Sequence, residues 1–294
     1  CWVVAIVMSV LSGQGTVNGR YLGNLSSLLF APLFILLATA VGEWVLTRAL
    51  RLRAELTGRT VLAAGLGLGA FSLTTLVVGC MAVPPTPVVW VVLVTLAGML
   101  SERTGTLLLR LGRRIREFRT SADVGGLVFN GLLVLIICTL VVLNILYAFV
   151  PPLEYDELEY HLAAPAKYVR AGRIFFISDN AYASFPANIE MLFLDAMLIR
   201  GGVADGFALG RLINVALGLL AACAAGACAA ALFSKQAAVP AAAILYTWPR
   251  VNGLQQIAYV ELGLMLYVGL ALLAAYQIKR CQDPFIWREE LVGE

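Results

Sequence analysis

Residues 124–150 read VGGLVFNGLLVLIICTLVVLNILYAFV and run directly into Pro151-Pro152. The stretch holds no charged side chain. Roughly 20 apolar residues suffice for a helix to cross the hydrocarbon core of a bilayer, so these residues read as a membrane-spanning helix that two prolines terminate. Further apolar windows lie at 25–46, 60–83, 86–100, 207–233, 237–248 and 257–278, and a half-length stretch runs from Cys1 to about Leu11. Together they predict an all-α, polytopic transmembrane protein of about seven to eight spans.

Composition points the same way. The chain has 294 residues, of which 61% are hydrophobic and 13% charged. A soluble domain of this length carries about 70 charged residues, against 21 basic and 18 acidic here. With a mean hydropathy of +0.87, a soluble globular enzyme is excluded. A net charge of +3 is too small to argue for a nucleic-acid partner. The six cysteines (Cys1, Cys80, Cys138, Cys223, Cys228 and Cys281) show neither CxxC pairs nor histidine-linked spacing, so no disulfide framework and no zinc site are expected. A single histidine, His161, argues against a haem protein. The opening stretch reads as the second half of a helix. No cleavable signal peptide is legible, and Trp2 is a poor follower for a lipoprotein-type mature cysteine.

Short loops rich in Lys and Arg are retained in the cytoplasm. Arg48, Arg51, Arg53 and Arg59 share one connection, and Arg103, Arg110, Arg113, Arg114, Arg116 and Arg119 share another. Both are therefore expected inside, which puts the uncharged Pro84-Pro85 loop outside. Continued alternation places 151–206 outside, Lys235 inside, Arg250 outside, and Lys279 with Arg280 inside. Three segments follow: N-terminal transmembrane helices over 1–123, a transmembrane module over 124–280 with its external loop at 151–206, and a cytoplasmic amphipathic tail over 281–294 around Phe285 and Trp287. Membrane lipids are the first partners, and the expected location is a bacterial inner membrane. Gly65-Leu66-Gly67-Leu68-Gly69 lies inside a span and predicts close helix packing. Glu43 is expected at an interface. Asn130 and Asn144 are expected to join helices, and Trp90, Trp248, Tyr246, Tyr259 and Tyr267 to form aromatic belts.

The external loop departs from apolar periodicity. Eight of the 18 acidic residues fall between Glu154 and Asp205, beginning with Glu154-Tyr155-Asp156-Glu157-Leu158-Glu159-Tyr160-His161. Two readings stand side by side. In the structural one, Asp156 with Glu159 is a capping box at a helix start, a surface helix interrupted by Pro165 follows, and Lys167, Arg170 and Arg173 snorkel to headgroups. In the chemical one, Asp156 is a general base and the cations hold a phosphate. Helical spacing then sets Asp156 over Tyr160 and Glu157 over His161.

The order of motifs carries a resemblance. A span ending in Pro, Tyr155-Asp156-Glu157 followed by Tyr160-His161, Gly172-Arg173-Ile174, Ser184-Phe185-Pro186 and Glu190-Met191-Leu192 resemble the first external loop of GT-C membrane glycosyltransferases. The branch is the one with protein O-mannosyltransferases and aminoarabinose transferases. Leu209-Gly210-Arg211-Leu212-Ile213 and Pro249-Arg250 before Tyr259-Val260-Glu261 are similar to later family elements. The resemblance covers about residues 140–280. It implies Asp156 as the catalytic carboxylate with Glu157 as its neighbour, and Arg211, Arg250 and Glu261 as substrate-binding residues, to which the chemical reading of the loop adds His161, Lys167 and Arg170. It further implies a polyprenyl-phosphate-linked sugar as donor, inverting transfer on the extracytoplasmic face and no certain cofactor, with a divalent metal left open. Four spans precede the loop where the family normally has one. That difference keeps a second reading alive, a non-catalytic transmembrane scaffold subunit of a larger membrane complex derived from the same fold. A transporter is disfavoured because no internal repeat is legible.

Overall fold

The computed structural model describes residues 26–51, 57–84, 86–107, 109, 112 and 124–282. The half-span at Cys1–Leu11, the arginines at 53, 110, 113, 114, 116 and 119, and the tail residues 283–294 lie outside them. Among the described residues all regular structure is helical and no strand occurs. Helix α1 (Ser27–Trp44) continues through a wider turn at Val45–Ala49. Then come α2 (Arg59–Met81), α3 (Thr86–Met99) and α4 (Val124–Tyr147). The connecting segment holds α5 (Ala163–Ala171) and α6 (Glu190–Arg200). Last come α7 (Val203–Leu232), α8 (Ala238–Thr247), α9 (Pro249–Leu254) and α10 (Glu261–Gln282).

Five helices are long and apolar enough to cross a membrane: Ser27–Ala49, Arg59–Met81, Gly125–Tyr147, Val203–Leu232 and Glu261–Lys279. A sixth passes if Thr86–Met99 and Ser101–Leu107, bent by 65° at their junction, are counted as one span. These helices are compatible with a multi-pass membrane protein. The apolar window at 237–248 does not become a span. Trp248 precedes Pro249 and is forced to an extended ψ of 125°, so α8 stops at ten residues, about 15 Å of rise.

Helix α7 is the hub, packing on α6, α10, α8 and α1. Helices α1 and α2 form the closest pair. A Cβ on Gly42 would collide with the Ala63 carbonyl, and one on Gly67 with the Ala38 carbonyl. Small residues four apart on each helix thus let the backbones touch. The other face of the same glycine-rich stretch meets α10, where the Tyr267 hydroxyl donates to the Gly65 carbonyl at 3.0 Å. Helix α4 is peripheral. It touches only α8 and α7 to any extent and leaves Val128, Phe129, Leu132 and Leu135 exposed.

The bundle has two distinct ends. At one, Arg59 pairs with Glu43 at 3.0 Å, Arg103 donates to Thr47 at 2.9 Å and Gln277 donates to the Thr57 carbonyl at 2.6 Å. Glu43 is therefore a buried ion-pair partner (6% exposed) at this end of the bundle. At the other end, the segment between α4 and α7 folds over the helix ends. Val83 N–H donates to the Gly172 carbonyl at 2.8 Å, and Ile174 N–H to the Gly79 carbonyl at 2.7 Å. Helix α6 is buried from Glu190 through Ile199, wedged against α2 and α7. There Thr75 Oγ1 donates to Asp195 Oδ1 at 2.7 Å. Burial pushes the Asp195 carboxyl up to about 7, against the lowering effect of that bond.

Candidate functional site

The acidic turn after Pro152 is not the capped helix start that Asp156 and Glu159 predict. Asp156 already has helical torsions, φ −65° and ψ −33°, and its side chain makes no capping bond. Helical bonding begins earlier, with Leu158 N–H donating to the Glu154 carbonyl at 3.1 Å. From Glu157 to His161 the turn widens, and Leu162 N–H reaches the Glu157 carbonyl five residues back at 2.9 Å. Such wide turns are rare and frequent at functional sites. Here the widening breaks the expected stacking of Glu157 over His161 and sends the two side chains to different partners. Pro165 does not interrupt α5, because it sits in the first turn, where backbone N–H groups have no partner within the helix.

Glu157 and Arg211 form the floor. Arg211 Nε and Nη2 donate to Glu157 Oε1 and Oε2 at 2.7 and 2.5 Å. Arg211 Nη1 donates to the Val150 carbonyl at 2.5 Å, and Ala258 N–H donates to Glu157 Oε1 at 2.9 Å. Arg211 is 1% exposed and Glu157 fully buried. A forked, charge-assisted pair of this kind fixes geometry as well as charge. It ties the end of α4, the acidic turn, α7 and the connection into α10 to one point. The structure brings these two predicted residues together and away from any outward face.

Above this floor lies an acidic and aromatic face. His161 Nδ1 lies 2.9 Å from Glu190 Oε1, with both residues buried. The imidazole sits against Tyr160 (centroids 4.0 Å apart) and Tyr259 (5.0 Å). Tyr160 stacks on Tyr182 at 5.6 Å and meets Phe185 edge-on at 6.3 Å. Asn180 builds this wall. Its Oδ1 accepts from the N–H groups of Tyr182 and Ala183, and its Nδ2 donates to the Glu159 carbonyl at 2.8 Å. Burial pushes the Tyr259 hydroxyl up to about 12, with Asp156, Glu154 and Glu261 adding to the rise. The Tyr160 hydroxyl is raised by burial and then by Asp156, Glu261 and Glu190. Asp156 and Glu261 thus lie within electrostatic range of both tyrosines. Asp156 is half-buried and forms no hydrogen bond or ion pair among the described residues.

The remaining predicted cations are dispersed. Lys167 pairs with Asp179 at 3.0 Å on the exposed side of α5, and this bond holds the Asp179 carboxyl below its usual range. Arg170 and Arg250 are exposed. Neither has an ion pair among the described residues, and none joins Arg250 to Glu261. No group of three or more His, Cys, Asp or Glu side chains among the described residues could hold a metal ion.

Glu190 and Asn180 escape sequence reasoning as functional positions, although Glu190 lies inside a quoted motif. Tyr259 reads as a belt aromatic but stands on the face with His161. A carboxylate at the head of an apolar helix was the available signal for Glu190. No family model, curated protein or solved structure matches the chain.

Proposed function

We propose that the chain is a membrane glycosyltransferase of GT-C type, or part of one, which moves a sugar from a polyprenyl-phosphate donor to an acceptor on the extracytoplasmic face. In this reading the loop end of the bundle faces away from the cytoplasm, the membrane is a bacterial inner membrane and the whole fold has seven to eight spans. The observation that carries the reading is the Asp156 carboxylate, which has no partner among the described residues and lies one residue from the fixed Glu157–Arg211 pair, at the head of the turn that carries the Tyr160 and His161 rings. Aromatic walls beside a carboxylate suit a sugar ring, and a positioned carboxylate suits removal of a proton. Asp156 takes the acceptor's proton as the acceptor oxygen bonds to the anomeric carbon. The bond from that carbon to the phosphate oxygen breaks, and polyprenyl phosphate leaves with the electron pair. Arg170 and Arg250, exposed and without an ion pair among the described residues, are the cations open to that phosphate, while Lys167 would have to leave Asp179 to join them. Glu157 and Arg211 act as positioning residues.

The test is release of labelled sugar from a polyprenyl-phosphate donor by the purified protein in detergent. Asp156→Asn should lower turnover by about 10²–10⁴-fold, the usual contribution of a general base, with an unchanged unfolding midpoint. Full turnover by the variant overturns the reading. The scaffold alternative draws on the bare outer face of α4, and stoichiometric co-purification with large membrane partners, without turnover, would favour it.

A further inference from the structure

Arg211, Asn214 and Gly218 recur on one face of α7 at spacings of three and four residues. Arg211 closes the floor with Glu157, and Gly218 lies about 10 Å further along the helix. Asn214 Nδ2 donates to the Leu254 carbonyl at 2.8 Å and also to the Ile257 carbonyl. Gly218 stands against Gln255, where an added Cβ would lie 2.9 Å from the Gln255 Cγ. Gln255 Oε1 accepts from Asn144 Nδ2 at 3.3 Å, and Gln256 Nε2 donates to Asn144 Oδ1 at 3.3 Å. Helix α8 adds Tyr246. The tight turn at Lys235–Ala237 sends α8 back along α7, and a Cβ on Gly226 would meet Ala242 at 3.4 Å. Tyr246 lies on that same face of α8, one turn nearer to Gly218.

Asn144, Asn214, Tyr246 and Gln255 are each 1% exposed or less. Yet Asn214 Oδ1, Gln255 Nε2 and the Tyr246 hydroxyl make no hydrogen bond among the described residues, and buried polar atoms in that condition cost free energy until something meets them. Turning the amides over does not help. Asn214 is held by two carbonyls, and reversing the chain from Gln255 through Asn144 to Gln256 leaves Gln255 Oε1 without a donor instead. The backbone beside these groups is non-helical from 255 to 260, and irregular backbone inside a membrane bundle persists only where protein buries it or water lines it. The three unpartnered atoms mix donors with acceptors and carry no charge, so neither a cation nor an anion suits them. The close approach of Gln255 to Gly218, and of the Ala238 carbonyl to Gly226 at 2.7 Å from an added Cβ, limits the guest to the size of water.

We infer that this seam between α4, α7, α8 and the 255–260 connection is a buried water site. Water held by Asn214 Oδ1, the Gln255 amide and the Tyr246 hydroxyl has the two to four polar partners that buried water needs. It extends polar contact from the Glu157–Arg211 floor into the interior of the bundle. The inference is independent of the transfer reaction.

The experiment is hydroxyl-radical labelling by pulsed X-rays, on the whole chain in lipid nanodiscs, which oxidises a buried ring only where water touches it. Tyr246 should be oxidised, whereas Phe193, equally buried but within the apolar core, should not. A second reading comes from Tyr246→Phe, which keeps the ring and removes only the hydroxyl. If that hydroxyl holds water, the variant should shift the unfolding equilibrium about fivefold toward the unfolded state, the scale of one lost hydrogen bond. A dry hydroxyl gives the opposite sign, since Phe then removes an unpaired buried group. A silent Tyr246, or a variant as stable as the parent or more so, overturns the site. The labelling is done on the unaltered protein, so it holds even if the variant fails to fold.

Discussion

Glu157 is fully buried and accepts three hydrogen bonds, two from Arg211 and one from Ala258 N–H. Asp156, one residue earlier, is half-buried and accepts none among the described residues. The same acidic chemistry has been divided by a widened turn into a structural floor and an available carboxylate. The contrast teaches that the two positions should fail differently. Loss of the floor costs folding, and loss of the free carboxylate costs only whatever that carboxylate does.

The largest expected effect is on the floor. Arg211→Met leaves Glu157 buried without its cation and should cost about 3–5 kcal/mol of stability, read as a lowered unfolding midpoint in detergent. The double variant Glu157→Gln/Arg211→Met should recover much of that loss. A double variant as unstable as Arg211→Met alone would remove the case for an uncompensated charge. Next comes the α1–α2 crossing. Gly67→Leu forces a side chain against the Ala38 carbonyl and should cost about 1–3 kcal/mol or more, without altering turnover per folded molecule.

A third test uses pH. The Asp195 carboxyl is raised by burial to about 7 when folded, well above its unfolded value. Its contribution is therefore fully present below the unfolded value and is lost as pH rises through about 7. Unfolding midpoints should fall across that range, and Asp195→Asn should flatten the fall. The smallest effect belongs to Lys167→Ala, since its pair with Asp179 is exposed and screened. The midpoint should not move measurably, and a clear drop would mean that this pair belongs with the floor.

Much of the scaffold was legible because membrane helices announce themselves by length and charge exclusion. The windows over α1, α2, α4, α7 and α10 all became long helices, and the glycine-rich stretch became a packing face. The window at 237–248 failed for a local reason, the conformation Pro249 imposes on Trp248. The site was half legible. His161 on the acidic loop does meet Tyr259, two residues before Glu261, at one end of the bundle. The partner of Arg211 was not readable, because a wide turn depends on tertiary contacts rather than on local propensity. Neither was the place of Glu190, whose partner His161 lies 29 residues away in sequence. Two residues so far apart leave no periodic trace.

The floor also bears on how the chain enters its membrane. An arginine within a long apolar helix is expensive to insert alone, and Arg211 lies in the first turns of α7. Its counter-charge precedes it by 54 residues, so Glu157 emerges from the ribosome first and is already waiting when α7 arrives. Ala258, which joins the same carboxylate, arrives last. The order of the chain thus lets the guanidinium be neutralised as it is laid down, and lets α10 be fastened onto a pair already closed.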